Sequence, residues 1–242
     1  MAHVTELWRY PVKSCAGERI RETWIGSDGL SGDRIVQPTS ARGDRVTARM
    51  FPRLLGLRGS IDDVGIVLLD GVPWDSDEAA RKVKDASAPA VELKLDHDQS
   101  RFDVLPVSLV TDGAVEALGI DRRRLRPNIV VGGIEGLAER DWVGFALRAG
   151  DAVLGVRQVR GRCVMTTFDP DTQEQDRSVL QRIVHEFDGR FALDCYVVRP
   201  GRVREGDPFE SIGYWTLDRR EPSVQIGHAR PAGIPARPSA GS

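Results

Sequence analysis

Over the first ninety residues, polar and apolar positions alternate in short bursts. VTELWRYPV (4–12) and RIRETWIG (19–26) carry β-branched and aromatic residues near the two-residue period of a strand. Glycines at 29, 32, 43, 56, 59 and 65 punctuate this region as turns. GIVLLDGVPW reads as a hairpin turning at Asp70-Gly71. DSDEAARKVKDAS predicts a first, partly helical connector. In TDGAVEALGID a capping Thr or Asp precedes Val115 and Leu118 at helical spacing. RPNIVVGG is a strand that begins just after a proline, and WVGFALRAGDAVLGVRQV is two strands joined at residues 148–151. SVLQRIVHEF predicts an amphipathic helix with Leu180, Ile183, Val184 and Phe187 on one face. ALDCYVVRPGRVREGDPFE reads strand, turn, strand. From residue 213 to 242, Pro, Gly, Ala, Ser and Arg dominate, which predicts a disordered tail.

Many short strands with two or three helices and no internal repeat make a mainly β (α+β) chain, barrel-like with inserted helices. The small-residue stretch ASAPA marks a boundary near residues 85–100, giving a smaller β-rich unit over 1–94 and a second unit over 95–212. The length of 242 residues allows one large domain or two small ones, each with a buried core. A net charge of −2 gives no general attraction to nucleic acid or anionic lipid. No apolar run approaches the roughly 20 residues of a membrane span, and the opening residues lack a signal-peptide pattern. A cytoplasmic protein is expected. Three cysteines, Cys15, Cys163 and Cys195, argue for reduced thiols rather than a disulfide framework, and they are too few for a four-cysteine iron–sulfur cluster.

Chemistry concentrates in three places. Gly161-Arg162-Cys163 leads into Val164-Met165-Thr166-Thr167-Phe168-Asp169-Pro170, a polar turn after a strand. Backbone donors, two threonine hydroxyls and Arg162 surround this cysteine, and cationic neighbours favour a thiolate, the form a soft metal or an electrophilic sulfur needs. A buried, inert thiol is the competing reading, and it is the reading for Cys195, inside a strand. Tyr10-Pro11-Val12-Lys13-Ser14-Cys15 stops a strand at proline and exposes Lys13 and Ser14, a charge and a hydroxyl suited to phosphate. Asp33-Arg34, Thr47-Ala48-Arg49 and Pro52-Arg53 add basic groups, each of which also fits a solvated surface. In Arg126-Pro127-Asn128, the amide suits either a pterin edge or a structural turn. His3, His97, His185 and His228 show no metal-ligand spacing, and no phosphate-binding glycine loop, dinucleotide fingerprint or serine elbow is present.

YPVKSC, GLSGDR, TARMFPRL, RPNIVVGG, Asp141-Trp142, RCVMTTFDPDT and EGDPF occur in an order that resembles MOSC proteins with an N-terminal β-barrel subdomain. Among these, the chain is similar to the mitochondrial amidoxime-reducing component and its bacterial relatives, over about residues 4–210. The resemblance implies a β-barrel MOSC domain over 95–212 behind the smaller β-rich subdomain. It implies that Cys163 is the catalytic protein ligand to the molybdenum of a molybdopterin cofactor. It assigns cofactor binding to Lys13, Ser14, Arg34, Arg126 and Asn128, and by a loose alignment to Thr111. The implied activity is reduction of N-oxygenated compounds such as hydroxylamines, amidoximes and N-hydroxylated bases. With no iron–sulfur motif, electrons come from a separate ferredoxin, cytochrome or flavin reductase. Two other readings stand beside it: a carrier of a Cys163 persulfide, and a non-catalytic cofactor carrier. A pyridoxal-phosphate domain does not fit the length. Two departures from the family pattern are visible. Gln173 follows Thr172 where glycine is usual, and Phe191-Ala192-Leu193-Asp194 stands where the family has Phe-Gly-x-Asn.

Overall fold

The computed structural model describes residues 1–217, 222–225 and 233. Its largest sheet has nine strands, in the order Pro222–Gln225, Phe209–Leu217, Phe145–Ala149, Ala152–Gly161, Arg190–Arg199, Val107–Thr111, Ile129–Gly132, His3–Arg9 and Glu18–Ile20. Backbone hydrogen bonds join the first and last parts of this order. Val4 N–H donates to Asp207 C=O at 2.9 Å, Gly206 N–H to Val4 C=O at 2.7 Å, and Phe209 N–H to Ala2 C=O at 3.1 Å. The strands from Phe209–Leu217 round to His3–Arg9 therefore close into a barrel, which removes the edges an open sheet would expose. Alternate residues point inward, as the pleat requires. Val107 and Leu109, Ala152, Leu154 and Val156, and Leu193, Cys195 and Val197 share one core with Trp142. Cys195 is fully buried there, and burial pushes its thiol well above the ordinary range.

Three helices complete the layers. Helix α1 (Asp77–Ala86) starts where Ser76 Oγ accepts from Ala79 N–H at 3.2 Å. Helices α2 (Asp112–Leu118) and α3 (Arg177–Phe187) pack on the outer face of the barrel, where Ala114, Leu118, Ile183 and Phe187 meet Val110, Val130 and Phe191. In α3 the buried stripe is Val179, Ile183 and Phe187, at four-residue spacing, while Val184 is exposed. The expected face is thus corrected by one position: a stripe stepping by four drifts little around the helix, so Val179 takes the place assigned to Val184.

The smaller unit pairs Val36–Ser40 with Val91–Leu95 and stacks the three strands Gly59–Ile61, Val67–Leu69 and Val72–Pro73. Asp70 and Gly71, both at positive φ, form the expected two-residue turn of the last hairpin. Val12, Cys15, Val36, Leu54, Leu69 and Val83 belong to its separate core. The two units interleave in sequence. His3–Arg9 is a barrel strand although it lies in the first ninety residues, and Glu22–Gly26 pairs antiparallel with Gly201–Arg204. The expected tail begins later than residue 213, because Phe209–Leu217 runs on as a strand and pairs with Pro222–Gln225. Ladder hydrogen bonds, the core contact of Tyr214 and the aromatic pair Tyr214-Trp215 hold the strand where the composition of the whole segment 213–242 reads as a tail. The remainder of that segment lies outside the described residues.

Two outcomes follow from this packing. Ile183→Ala is expected to cost about 2–4 kcal/mol of unfolding free energy in denaturant titrations, and Val184→Ser less than about 0.5 kcal/mol. Glu6, buried on the first strand, accepts hydrogen bonds from Trp8 Nε1 at 2.8 Å and from Arg122 Nε at 2.6 Å. Burial raises its carboxyl, but Arg122, Trp8 and Arg19 together outweigh that and hold it below the usual carboxylate range. A carboxyl depressed on folding stabilises the native state above its unfolded value, about 4.3, and loses that contribution as pH falls through its folded value. Thermal unfolding from pH 7 to pH 3 is therefore expected to show the wild type losing its advantage over Glu6→Gln below about pH 4. A constant difference across that range would remove Glu6 from the acid response.

Candidate functional site

Residues 10–13 and 33–36 run side by side. Tyr10 N–H donates to Asp33 Oδ1 at 2.8 Å, Arg34 N–H to Tyr10 C=O at 2.8 Å, and Lys13 N–H to Val36 C=O at 2.8 Å. This short parallel pairing sets Lys13 and Ser14 beside Arg34. The strand Ala152–Gly161 ends next to them, followed by Arg162 and Cys163, and Cys163 opens the single 3-10 turn Val164–Thr167. Residues 122–126 come from a third direction, with Arg126 Nη1 donating to Cys15 C=O at 2.7 Å. Lys13, Ser14, Arg34, Arg126 and Cys163 thereby line one cavity of about 90 Å³. Ser14, Arg34 and Arg126 all adopt left-handed backbone, with φ of 68°, 55° and 52°. Such conformations are costly for residues with a Cβ and concentrate where a site over-determines the chain.

Seven cationic side chains line this cavity, against one carboxylate, Asp103. Asp103 pairs with Lys13 at 2.9 Å and with Arg49 at 3.2 Å. The neighbouring Cys163 sulfur, and after it Asp103, raise the basicity of the Arg49 guanidinium. Arg34 is held by Asp33, and Arg160 by Asp194 at 2.6 Å. Burial lowers Lys13 below the usual lysine range despite Asp103. Arg162 is the extreme case. Burial, then repulsion from Arg160, pushes its guanidinium down to about 9, with Cys163 and Asp194 opposing. Its Nη2 donates to Leu125 C=O at 2.7 Å, while Nε and Nη1 are buried without a partner. A guanidinium does not surrender its proton readily, and an unpaired buried donor is costly. The arrangement therefore calls for an anion at Cys163. An anionic phosphate ester and a metal that draws a thiolate fit this donor set, as the molybdenum cofactor requires.

Models of known families match nearly the whole described chain. The MOSC N-terminal β-barrel domain matches residues 1–104 and the MOSC domain residues 95–210. The chain is a MOSC-domain protein. It is 24% identical over 285 residues to mitochondrial amidoxime-reducing component 1 of Mus musculus, covering 87% of this chain and 82% of that protein. Against mitochondrial amidoxime reducing component 2 of Homo sapiens it is 26% identical over 276 residues, covering 85% and 82%. Among solved structures it resembles the YuaD protein of Bacillus subtilis at 16% identity and a TM-score of 0.46, covering 86% of this chain and 93% of that one. YiiM from Escherichia coli matches at 13% identity and a TM-score of 0.41, covering 90% and 73%.

Two residues that the MOSC resemblance assigns to the cofactor lie outside the cavity. Thr111 is fully buried as the N-cap of α2: its Oγ1 accepts from Ala114 N–H and donates to Glu139 Oε2, both at 3.2 Å. Asn128 is buried between strands, its Oδ1 accepting from Ser108 N–H at 3.1 Å and its Nδ2 donating to Trp8 C=O at 3.2 Å. Thr111 is thus tied to a helix cap and to Glu139, and Asn128 bridges two strands. Thr166 and Thr167 likewise donate to the carbonyls of Cys163 and Val164, at 2.9 and 2.7 Å, and hold the turn. Sequence reasoning singled out Arg49 and Arg162 only as neighbours and missed Arg124, Arg160 and Asp103. Arg160 carried a signal, since it stands two residues before Arg162 at the end of a strand. Asp103 carried none. Thr111→Val is expected to cost about 1 kcal/mol of unfolding free energy in a denaturant titration, as a lost helix cap does. An unchanged unfolding free energy would remove Thr111 from the cap.

Proposed function

We propose that this MOSC protein binds a molybdenum–molybdopterin cofactor through Cys163 and reduces N-oxygenated compounds: hydroxylamines, amidoximes and N-hydroxylated bases. The observation that carries the reading is the convergence of residues 13–14, 34, 47–49, 103–104 and 124–126 on Cys163, with more buried cation than the described residues neutralise. Cys163 supplies the thiolate ligand, and Arg49, paired with Asp103 at 3.2 Å, places a cation in the same cavity. Lys13, Ser14 and Arg34 face the cofactor phosphate with a charge, a hydroxyl and a guanidinium fork. Arg126, braced on Cys15 C=O and stacked 4.3 Å over the Tyr10 ring, closes one side. Tyr10 is buried and burial pushes its phenol up to about 12, so it stays neutral and serves as a platform. The donors of Arg162 are already oriented and desolvated, so they meet a developing negative charge without reorganisation.

The bound cofactor supplies the two-electron step, in which the substrate N–O bond breaks and oxygen leaves as water with two protons. Cys15 and Cys195 are buried in two different cores and cannot join Cys163 in a cluster. The electrons therefore come from a separate protein, a ferredoxin, a cytochrome or a flavin reductase. Reduced thiols suit a cytoplasmic location. Among the described residues no helix is long and apolar enough to cross a membrane. The test is the metal and pterin content of protein purified from a cofactor-competent host, beside Cys163→Ala. Stoichiometric molybdenum in the wild type and its loss in the variant are expected, followed by benzamidoxime reduction with an added electron donor. A wild type without molybdenum or pterin under full cofactor supply, or a loaded protein inert with every donor, would overturn the reading.

A further inference from the structure

A second cleft, of about 410 Å³, opens between the smaller unit and the barrel. It shares Arg124, Arg126 and Met165 with the Cys163 cavity, but Cys163, Lys13, Ser14 and Arg34 take no part in it. Three aromatic rings line it: Trp8 and Tyr10 from the end of the first strand, and Phe168 from the turn after Cys163. Its volume is that of a small-molecule site.

Four arginines also line the cleft, and their commitments differ. Arg123 is bound by Asp121 and by Asp171, the cleft's one lining carboxylate, at 2.6 and 2.7 Å. Arg124 donates to Thr167 C=O at 2.9 Å and to Asp169 at 3.0 Å. Arg126 faces no carboxylate: a backbone carbonyl and the Tyr10 ring are its partners, and burial lowers its guanidinium below the usual range. The Arg58 guanidinium, at the rim, has no hydrogen-bond or ion-pair partner among the described residues, although its backbone N–H is held by Asp70. Two guanidiniums without a carboxylate thus stand beside three ring surfaces.

We propose that this cleft is a ligand site in its own right, for a flat aromatic ring that carries an anionic group. The ring finds aromatic and thioether surface, and the anion finds the guanidinium forks of Arg58 and Arg126. Aryl carboxylates and aryl phosphates share this chemistry. The site shares Arg126 with the cofactor cavity but uses neither Cys163 nor the phosphate-facing residues, so the anion-binding group that belongs to it alone is Arg58.

Calorimetric titration of the full chain with 2-naphthoate, 2-naphthyl phosphate and the neutral 2-naphthamide tests this. At least one anion is expected to bind at least about tenfold tighter than the amide. Arg58→Glu, an exposed change that breaks no contact, is expected to weaken the anion by at least about tenfold. Cys163→Ala is expected to bind it like the wild type. Preference for the phosphate assigns the natural ligand to phosphate esters, and preference for the carboxylate assigns it to aryl acids. Equal affinity for amide and anions, no binding of either anion, or wild-type binding in Arg58→Glu would overturn the proposal. Loss of binding in Cys163→Ala would also overturn it, by moving the ligand to the other cavity. A protein that binds the anion but holds no molybdenum keeps this site and loses the reductase reading; one that reduces benzamidoxime but ignores the anion does the reverse.

Discussion

Repulsion among cations in a small, poorly hydrated space is the constraint around which the Cys163 region is organised. Like charges this close cost several kilocalories per mole unless each has a counter-charge. Behind nearly every cation stands a carboxylate: Asp33 behind Arg34, Asp194 behind Arg160, Asp169 behind Arg124, and Asp103 between Lys13 and Arg49. These acids come from the barrel, the small unit and the loop between them, so assembling the cavity requires both units to be folded and apposed. Arg126 and Arg162 have no carboxylate among the described residues, and the unmet donors of Arg162 sit next to the cysteine. The protein neutralises most of the surroundings and leaves the deficit beside the position where an anionic ligand would remove it.

The backbone records the same design. Gln173 and Ala192 occupy the two places where the family usually has glycine, and both hold left-handed φ, 58° and 66°. Both positions take the backbone that glycine adopts most easily, without being glycine. Gln173 offsets part of that cost by donating to Asp171 C=O at 2.8 Å, and it reaches across to Gly56, where a Cβ would stand 2.8 Å from its Oε1. The carboxylate of Asp194, another departure, is explained by its partners: it accepts from Arg160 and from Gln158 Nε2 at 3.1 Å. An asparagine there would leave Arg160 without a counter-charge.

What was legible in the sequence was local. Helix caps, the Asp70-Gly71 turn and the alternating strands follow from chemistry within a few residues, and the structure has them. Lys13, Ser14, Arg34, Arg126 and Cys163 were legible because each sits in a contiguous motif. Asp103 was not, since its importance arises only when residues ninety apart in the chain approach it. Thr111 and Asn128 lie outside the Cys163 cavity, for the opposite reason. Both residue types bind ligands well, but they satisfy buried backbone equally well, and only their surroundings tell which. Strand Phe209–Leu217 carries Phe, Ile, Tyr, Trp and Leu but was masked because it runs into a segment rich in Pro, Gly and Arg, and its partner Phe145–Ala149 lies sixty or more residues away.

The closure of the barrel bears on how such a chain comes to be folded. Its first strand cannot be locked until residues 206–209 have been made, so the ribosome must release almost the whole polypeptide before the ring is complete. The smaller unit, inserted between the first barrel strand and the rest, has every one of its own paired strands available much earlier, apart from those that meet Gly201–Arg204. It can form while the first strand, paired on one edge by Glu18–Ile20, still waits for its mates on the other side of the ring. A fragment cut at residue 95 would carry most of a barrel with one stave missing, its two neighbours left as raw edges open to pairing with another molecule. The separate folding of two halves, which the linear map invites, is thus denied by the first strand's pairing with Ile129–Gly132, its hydrogen bonds to residues 206–209, and the pairing of Glu22–Gly26 with Gly201–Arg204.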